Sequence, residues 1–328
     1  MTEEPPLNPE PTTDPAGSRG MSLLNAMYYA FKPFLPQAAR YTMRRLRANY
    51  ILQTCTDWPV MESAGTPPSG WRGWPEEKQF ALVLTHDVEG QAGLERCRQV
   101  VELETRHGFR SSFNFIPEGE YIATREIRDE ITNAGFEVGV HDLRHDGSLF
   151  RSRKSFEECA VGINRYLKEW NAVGFRAGFM FHNLEWIKGL EIEYDASTFD
   201  MDPFEPQPDG VGTIFPFWVG GRKPGDGYVE IPYTLPQDAT LFLVLREKNI
   251  DIWKRKTDWL AARGGMVHIN VHPDYLAFGG RKPAINEFDA AKYEQFLCYV
   301  KERYAGAYWN ALPREVGRHH RSHAMGNP

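Results

Sequence analysis

Cysteine is scarce in this 328-residue chain: Cys55, Cys97, Cys159 and Cys298 lie far apart, with no Cys-x-x-Cys pair. That spacing suggests neither a thiolate zinc site nor a dithiol redox pair. Cys97, Cys159 and Cys298 fall at apolar phase in helical patterns, where a free thiol behaves as a small core residue and fits a reducing compartment. Net basic charge is also lacking. At a formal −6 the chain gives no reason to expect phosphate-backbone binding, so nucleic acid is not an expected partner. There is no run of about 20 apolar residues to span a bilayer, and no apolar segment with a small-residue cleavage site near the start. The expectation is a soluble, cytoplasmic protein.

What is present is apolar material for a sizeable core, 41% hydrophobic and 13% aromatic, in a chain long enough for one large α/β domain with extensions. Residues 1–20 carry five prolines and few apolar side chains, and read as a disordered leader. Residues 21–79 read as a helical extension and a connecting arm rich in Pro, Gly and Trp. The extension places Arg40, Arg44, Arg45 and Arg47 among aromatics. That pattern suits an anionic membrane surface, but the preferred reading is helices packed on the main domain with their arginines in solvent. Residues 80–312 form the expected catalytic domain and residues 313–328 a polar tail, whose His319, His320 and His323 suit adventitious metal.

From Phe80 onward strand and helix patterns alternate, with about seven strand-like segments, which is the mark of parallel βα units closing into a barrel-like α/β domain. Gly108 and Gly135 are expected to end helices, and Ser155-Phe156-Glu157-Glu158 reads as a capping box.

Chemistry gathers where apolar runs stop. Phe80–Leu84 leads into Thr85-His86-Asp87-Val88-Glu89-Gly90, which delivers two carboxylates at a strand end. Val138-Gly139-Val140 leads into His141-Asp142-Leu143-Arg144-His145, a spacing that can set two imidazoles on one side of a helical turn, ready to share a metal ion. Phe175-Arg176-Ala177-Gly178 ends in a cation, and Met266–Val271 ends in His272-Pro273-Asp274-Tyr275. His86 is expected to line its strand end, and His268 to be a core residue.

These four motifs, in this order, resemble those of the polysaccharide deacetylase family, the carbohydrate esterase family 4 group that shares the NodB homology domain. The resemblance spans roughly residues 80–274 and the helix after them. It implies an α/β fold, a distorted (β/α)7 barrel-like NodB homology domain, here with an N-terminal helical extension. The acidic motif departs from the common pair of adjacent aspartates and is closer to an Asp-Val-Asp variant. That implies Asp87 as base and Glu89 as metal ligand, with the reverse assignment open. The usual proline after the arginine is replaced by Gly178. For the family's fourth motif Glu230 and Asp238 are both candidates.

Two imidazoles and one carboxylate leave open positions on a divalent ion, with zinc first and cobalt or another divalent ion behind it. Glu89, His141 and His145 would form that set, Asp87 would take a water proton, and His272 would protonate the leaving group. Asp274 is expected to orient His272, and Arg176 to keep Asp87 ionised. Phe215, Phe217, Trp218 and Tyr275 are candidates to stack on sugar rings, against the commoner reading of aromatics as core.

The implied function is a metal-dependent hydrolase that removes acetyl groups, N-acetyl above all, from an acetylated glycan or glycan precursor in polysaccharide biosynthesis. One alternative is an amidase of the same fold acting on a non-sugar amide or imide. The other is a non-catalytic glycan-binding or assembly protein.

Overall fold

The computed structural model describes residues 37–220 and 226–325. The leader expected over residues 1–20 and the first part of the expected helical extension lie outside the described residues. Helix α1 spans Gln37–Thr54. The arm that follows is pinned by tryptophans, as Trp74 donates its indole N–H to the carbonyl of Gly264 at 2.9 Å and packs edge-on against Trp71.

The domain proper begins with β1, Phe80–Val88, whose nine residues are all buried. A strand buried on both faces needs no polar alternation, and its near-continuous apolar run meets that requirement. After it come α2 (Gln91–His107), β2 (Ser112–Phe115), α3 (Arg125–Asn133), β3 (Glu137–His141), α4 (Arg153–Trp170) and β4 (Gly174–Arg176). A short helix α5 (Leu184–Ile187) precedes β5 (Tyr194–Asp195), β6 (Phe217–Gly220) and β7 (Gly227–Glu230). Last come α6 (Asp251–Ala262), β8 (Met266–Asn270), β9 (Leu276–Ala277), β10 (Phe288–Asp289), α7 (Ala291–Arg303), β11 (Tyr308–Ala311) and α8 (Pro313–Met325).

The main sheet runs β11-β1-β2-β3-β4-β5-β7-β6, with β8 on β1, and every pairing in it is parallel except β6 with β7. Between β7 and β8 the ring is bridged by irregular chain, where the amides of Thr234 and Leu235 both donate to the carbonyl of His268 at 3.0 Å. This is a curled, mostly parallel sheet with surrounding helices, a distorted (β/α)7 barrel.

Local signals are met with two differences. Gly108 ends α2 in the left-handed region at φ 81°, as a residue without Cβ permits. The cap of α4 lies three residues earlier than the capping-box reading: Ser152 accepts the amide of Ser155, and the Ser155 hydroxyl donates to the carbonyl of Ser148. Residues 313–325, read as polar tail, form α8 instead, with Val316 buried against the sheet and His319 bonded to the carbonyl of Gly73 at 3.0 Å. One apolar anchor and a few polar contacts suffice to dock a helix of polar composition.

Helix α1 packs through buried Tyr41 and Ala48 and is tied down by its arginines. Arg45 donates to the carbonyl of Leu243, in the π-helical turn Ala239–Leu245, and Arg47 to the carbonyls of Phe204 and Glu205. Among the described residues no helix is long and apolar enough to cross a membrane.

Candidate metal centre

Strand alternation sorts the residues at the end of β1. His86 turns outward and is buried between the carbonyl of Val271 and Glu104, each at 2.7 Å, so it is a core residue and not part of the cleft. Asp87 turns inward. One of its oxygens accepts Asn114 Nδ2 at 2.9 Å and the other Asn270 Nδ2 at 2.8 Å, while Arg176 stands 3.4 Å away. Burial would raise this carboxyl, but the charges of Arg176, His141 and His272 and the bond from Asn114 outweigh it and hold Asp87 well below the usual carboxylate range.

Arg176 is completely buried and spent on four partners: the Ala196 carbonyl, the Thr85 hydroxyl, Asp87 and the Nε2 of His268. His268 is therefore the core residue expected. Burial and the neighbouring guanidinium keep it neutral, with Nδ1 on the carbonyl of Pro232.

His141 closes β3, and its Nδ1 meets the carbonyl of Arg176 at 3.1 Å, which leaves Nε2 with its lone pair outward. His145 does not follow on a helical turn, as the four-residue spacing suggested. Asp142 and His145 both have positive φ, 57° and 56°, and the loop folds back so that the two rings meet with centroids 4.9 Å apart. A side of Phe179 stacks on His145 at 4.4 Å. This is possible because Gly178 has no Cβ: one there would lie 2.6 Å from Asp142 and 2.7 Å from His145.

Glu89 completes the group. Its carboxylate accepts Tyr275 Oη at 2.5 Å and stands 3.5 Å from His145 Nε2 and 3.9 Å from His272 Nε2. Burial opposes its ionisation, yet the two histidines and the tyrosine bond bring its pKa down to about 2. One donor atom each from Glu89, His141 and His145 lies within 4.8 Å of the others. The Nε2 atoms of both histidines are buried with no hydrogen-bond partner. Two buried imidazole nitrogens without partners are costly unless a cation takes their lone pairs, so the residues fit a divalent ion of borderline softness.

The structure separates Asp274 from the role expected of it. Asp274 accepts the amides of Glu89 at 2.9 Å and Gly93 at 3.1 Å, and so holds the acidic loop and the start of α2. It is Asp238 that meets His272, at 2.7 Å from Nδ1, and its second oxygen accepts the His272 amide at 2.8 Å. Burial would lower His272, but Asp238, Glu89 and Asp87 raise it to about 10, so the imidazole carries its proton. Glu230, the other candidate for the fourth motif, instead binds Thr198 through its amide and hydroxyl in the core.

The carboxylates and histidines open on a cavity of about 650 Å³ whose lining includes Arg44, Arg47, Phe179, Phe204 and Tyr275. Of the aromatics expected to stack on sugars, only Tyr275 is there. Phe215 is buried against Trp71, Phe217 packs on the apolar cluster around Phe156, Ile163 and Phe175, and Trp218 lies under Arg321. Asn114 and Asn270 were not singled out by the sequence, and Asp238 only as a candidate for the fourth motif, without a link to His272. The only signal for the asparagines is an amide inside an otherwise apolar strand.

No protein-family model matches the chain, and no curated protein matches it either. Among solved structures it is similar to a protein assigned as a polysaccharide deacetylase from Mycobacterium smegmatis, at 18% identity and TM-score 0.60 over 80% of this chain and 96% of that one. It is also similar to the peptidoglycan deacetylase PdaC from Bacillus subtilis, at 14% identity and TM-score 0.45, over 77% and 97% of the two chains. A family 4 carbohydrate esterase from Streptomyces lividans follows at 10% identity and TM-score 0.43, over 73% and 96%. The chain has the NodB-like fold of the polysaccharide deacetylases.

Proposed function

We propose that this protein is a metal-dependent hydrolase that removes acetyl groups, N-acetyl above all, from an acetylated glycan or glycan precursor. The observation that carries the proposal is the convergence of two partnerless imidazole nitrogens with Glu89, beside an ionised Asp87 and a protonated His272. The Mycobacterium smegmatis protein of the same fold is assigned as a polysaccharide deacetylase, which agrees with this reading.

Glu89, His141 and His145 would hold the ion, zinc before cobalt by the nature of the donors. A bound divalent cation supplies Lewis acidity toward an acetyl carbonyl and makes a nearby water more acidic. Asp87 receives the proton of the attacking water. Its depressed pKa trades basic strength for constant ionisation, and the two asparagine amides hold its oxygens in place. His272 gives its Nε2 proton to the leaving nitrogen, while Asp238 fixes the ring through Nδ1. Tyr275 and Asp274 orient Glu89 from its carboxylate and its amide. The C–N bond breaks, acetate leaves, and the amine departs neutral.

The test is acetate release from N-acetylated hexosamines and short oligosaccharides by zinc-loaded and chelator-treated protein. Metal-dependent release supports the reading. Release that chelation and zinc leave unchanged rejects it, as does its absence across those substrates.

A further inference from the structure

Part of the catalytic cavity's lining comes from outside the barrel. Helix α1 contributes Met43, Arg44 and Arg47 to the same space that holds Glu89, His141 and His272. Resting on the deacetylase reading, we infer that the substrate is an acetylated sugar carrying a phosphate group, which Arg44 and Arg47 hold while the acetyl group sits at the histidines.

Three observations support this. First, neither arginine has a carboxylate ion pair among the described residues, in contrast to Arg144, also in the lining, which pairs with Glu118 at 2.8 Å. Arg47 is instead fixed by the carbonyls of Phe204 and Glu205, which position a guanidinium without cancelling its charge. Second, Glu205 shares the cavity lining with Arg44 and Arg47 and feels the Arg44 charge, and it is held mostly protonated near neutral pH. Burial and the neighbouring Asp202 push it up to about 8 against the bonds from Tyr233 and Gln237 and the charge of Arg44. Glu120, exposed on the rim, and Asp87 and Glu89 at the metal centre are the other carboxylates of the lining to set against the two arginines. Third, a planar guanidinium fork matches phosphate geometry, and a cleft concentrates the field of its charges.

The experiment compares N-acetylglucosamine with its 1-phosphate on zinc-loaded wild-type protein and on Arg44→Gln, with Arg44→Lys as the conservative variant. Arg44 is exposed, so its replacement leaves the fold intact. Wild type should favour the phosphorylated sugar by about tenfold or more in kcat/KM, Arg44→Gln should lose most of that preference, and Arg44→Lys should keep part of it. Equal rates on the two sugars in wild type would overturn the inference, as would a preference that survives in Arg44→Gln. Calorimetric binding of the sugar phosphate is read alongside. If neither sugar releases acetate the deacetylase reading fails, and binding that weakens about tenfold in Arg44→Gln still supports the phosphate site, whereas equal binding rejects it. The same sugar on a nucleoside diphosphate and on a short prenyl diphosphate then separates the two sources of the phosphate.

Discussion

His272 and Asp238 are joined twice: one carboxylate oxygen lies 2.7 Å from the ring Nδ1 and the other accepts the backbone N–H of the same histidine at 2.8 Å. A carboxylate held in this way fixes the tautomer, the ring plane and the charge of the imidazole together. It leaves Nε2 as the atom that faces the cavity, 3.9 Å from Glu89.

Asp238→Asn should therefore remove the strongest support for the His272 proton. The histidine stands at about 10 against an ordinary 6.5, so the stabilisation its charge contributes is full below 6.5 and is lost as pH rises through about 10. A cation at Glu89 would offset that carboxylate's pull and leave Asp238 as the main anchor. In Asp238→Asn the His272 resonance should titrate at lower pH, the basic limb of the rate profile should move down with it, and kcat should fall by about tenfold to a thousandfold. An unmoved titration would show that Asp238 does not set the charge of His272.

Gly178 stands where the family pattern suggested a different loop, and its missing Cβ makes room for His145. Gly178→Ala should push the imidazole aside and weaken divalent-ion affinity by about tenfold or more, read by competition with a chromophoric chelator. Unchanged affinity would mean that the loop relaxes without moving His145.

Glu137 lies far from the cleft, accepting the Tyr194 hydroxyl at 2.9 Å and the Arg314 amide at 3.1 Å. Burial outweighs those bonds and raises its carboxyl to about 7 from 4.5. Between these values the native state keeps a proton that the unfolded chain releases, so the contribution is full below 4.5 and lost as pH climbs through 7. Urea unfolding of wild type should weaken between pH 5 and pH 8 more steeply than that of Glu137→Gln, by at most about 3 kcal/mol. Parallel pH curves would contradict the assignment.

The sequence announced the cleft wherever an apolar strand stopped at a charged residue, as at Asp87, Glu89, His141, Arg176 and His272. Those breaks are legible because a parallel strand is apolar until it leaves the core. The His272 partner was less legible for two reasons. Asp274 is two residues away in sequence, but the turn after Pro273 aims it at the amides of Glu89 and Gly93. Asp238 follows the irregular stretch 231–237, which closes the ring between Pro232 and Pro236 without strand periodicity. The aromatics of 215–218 misled because apolar rings serve a core as readily as a sugar face. The role of α1 in the cavity wall depends on long-range packing that no local pattern encodes.

The central claim is that Glu89, His141 and His145 hold one divalent ion, and metal stoichiometry on purified, tag-free protein tests it most directly. The account predicts about one zinc-like ion per wild-type chain, lost in His141→Ala and His145→Ala, weakened in Glu89→Gln and retained in Asp87→Asn. Wild-type protein that binds no ion after zinc is added back, or loss of the ion in Asp87→Asn with retention in Glu89→Gln, would contradict it.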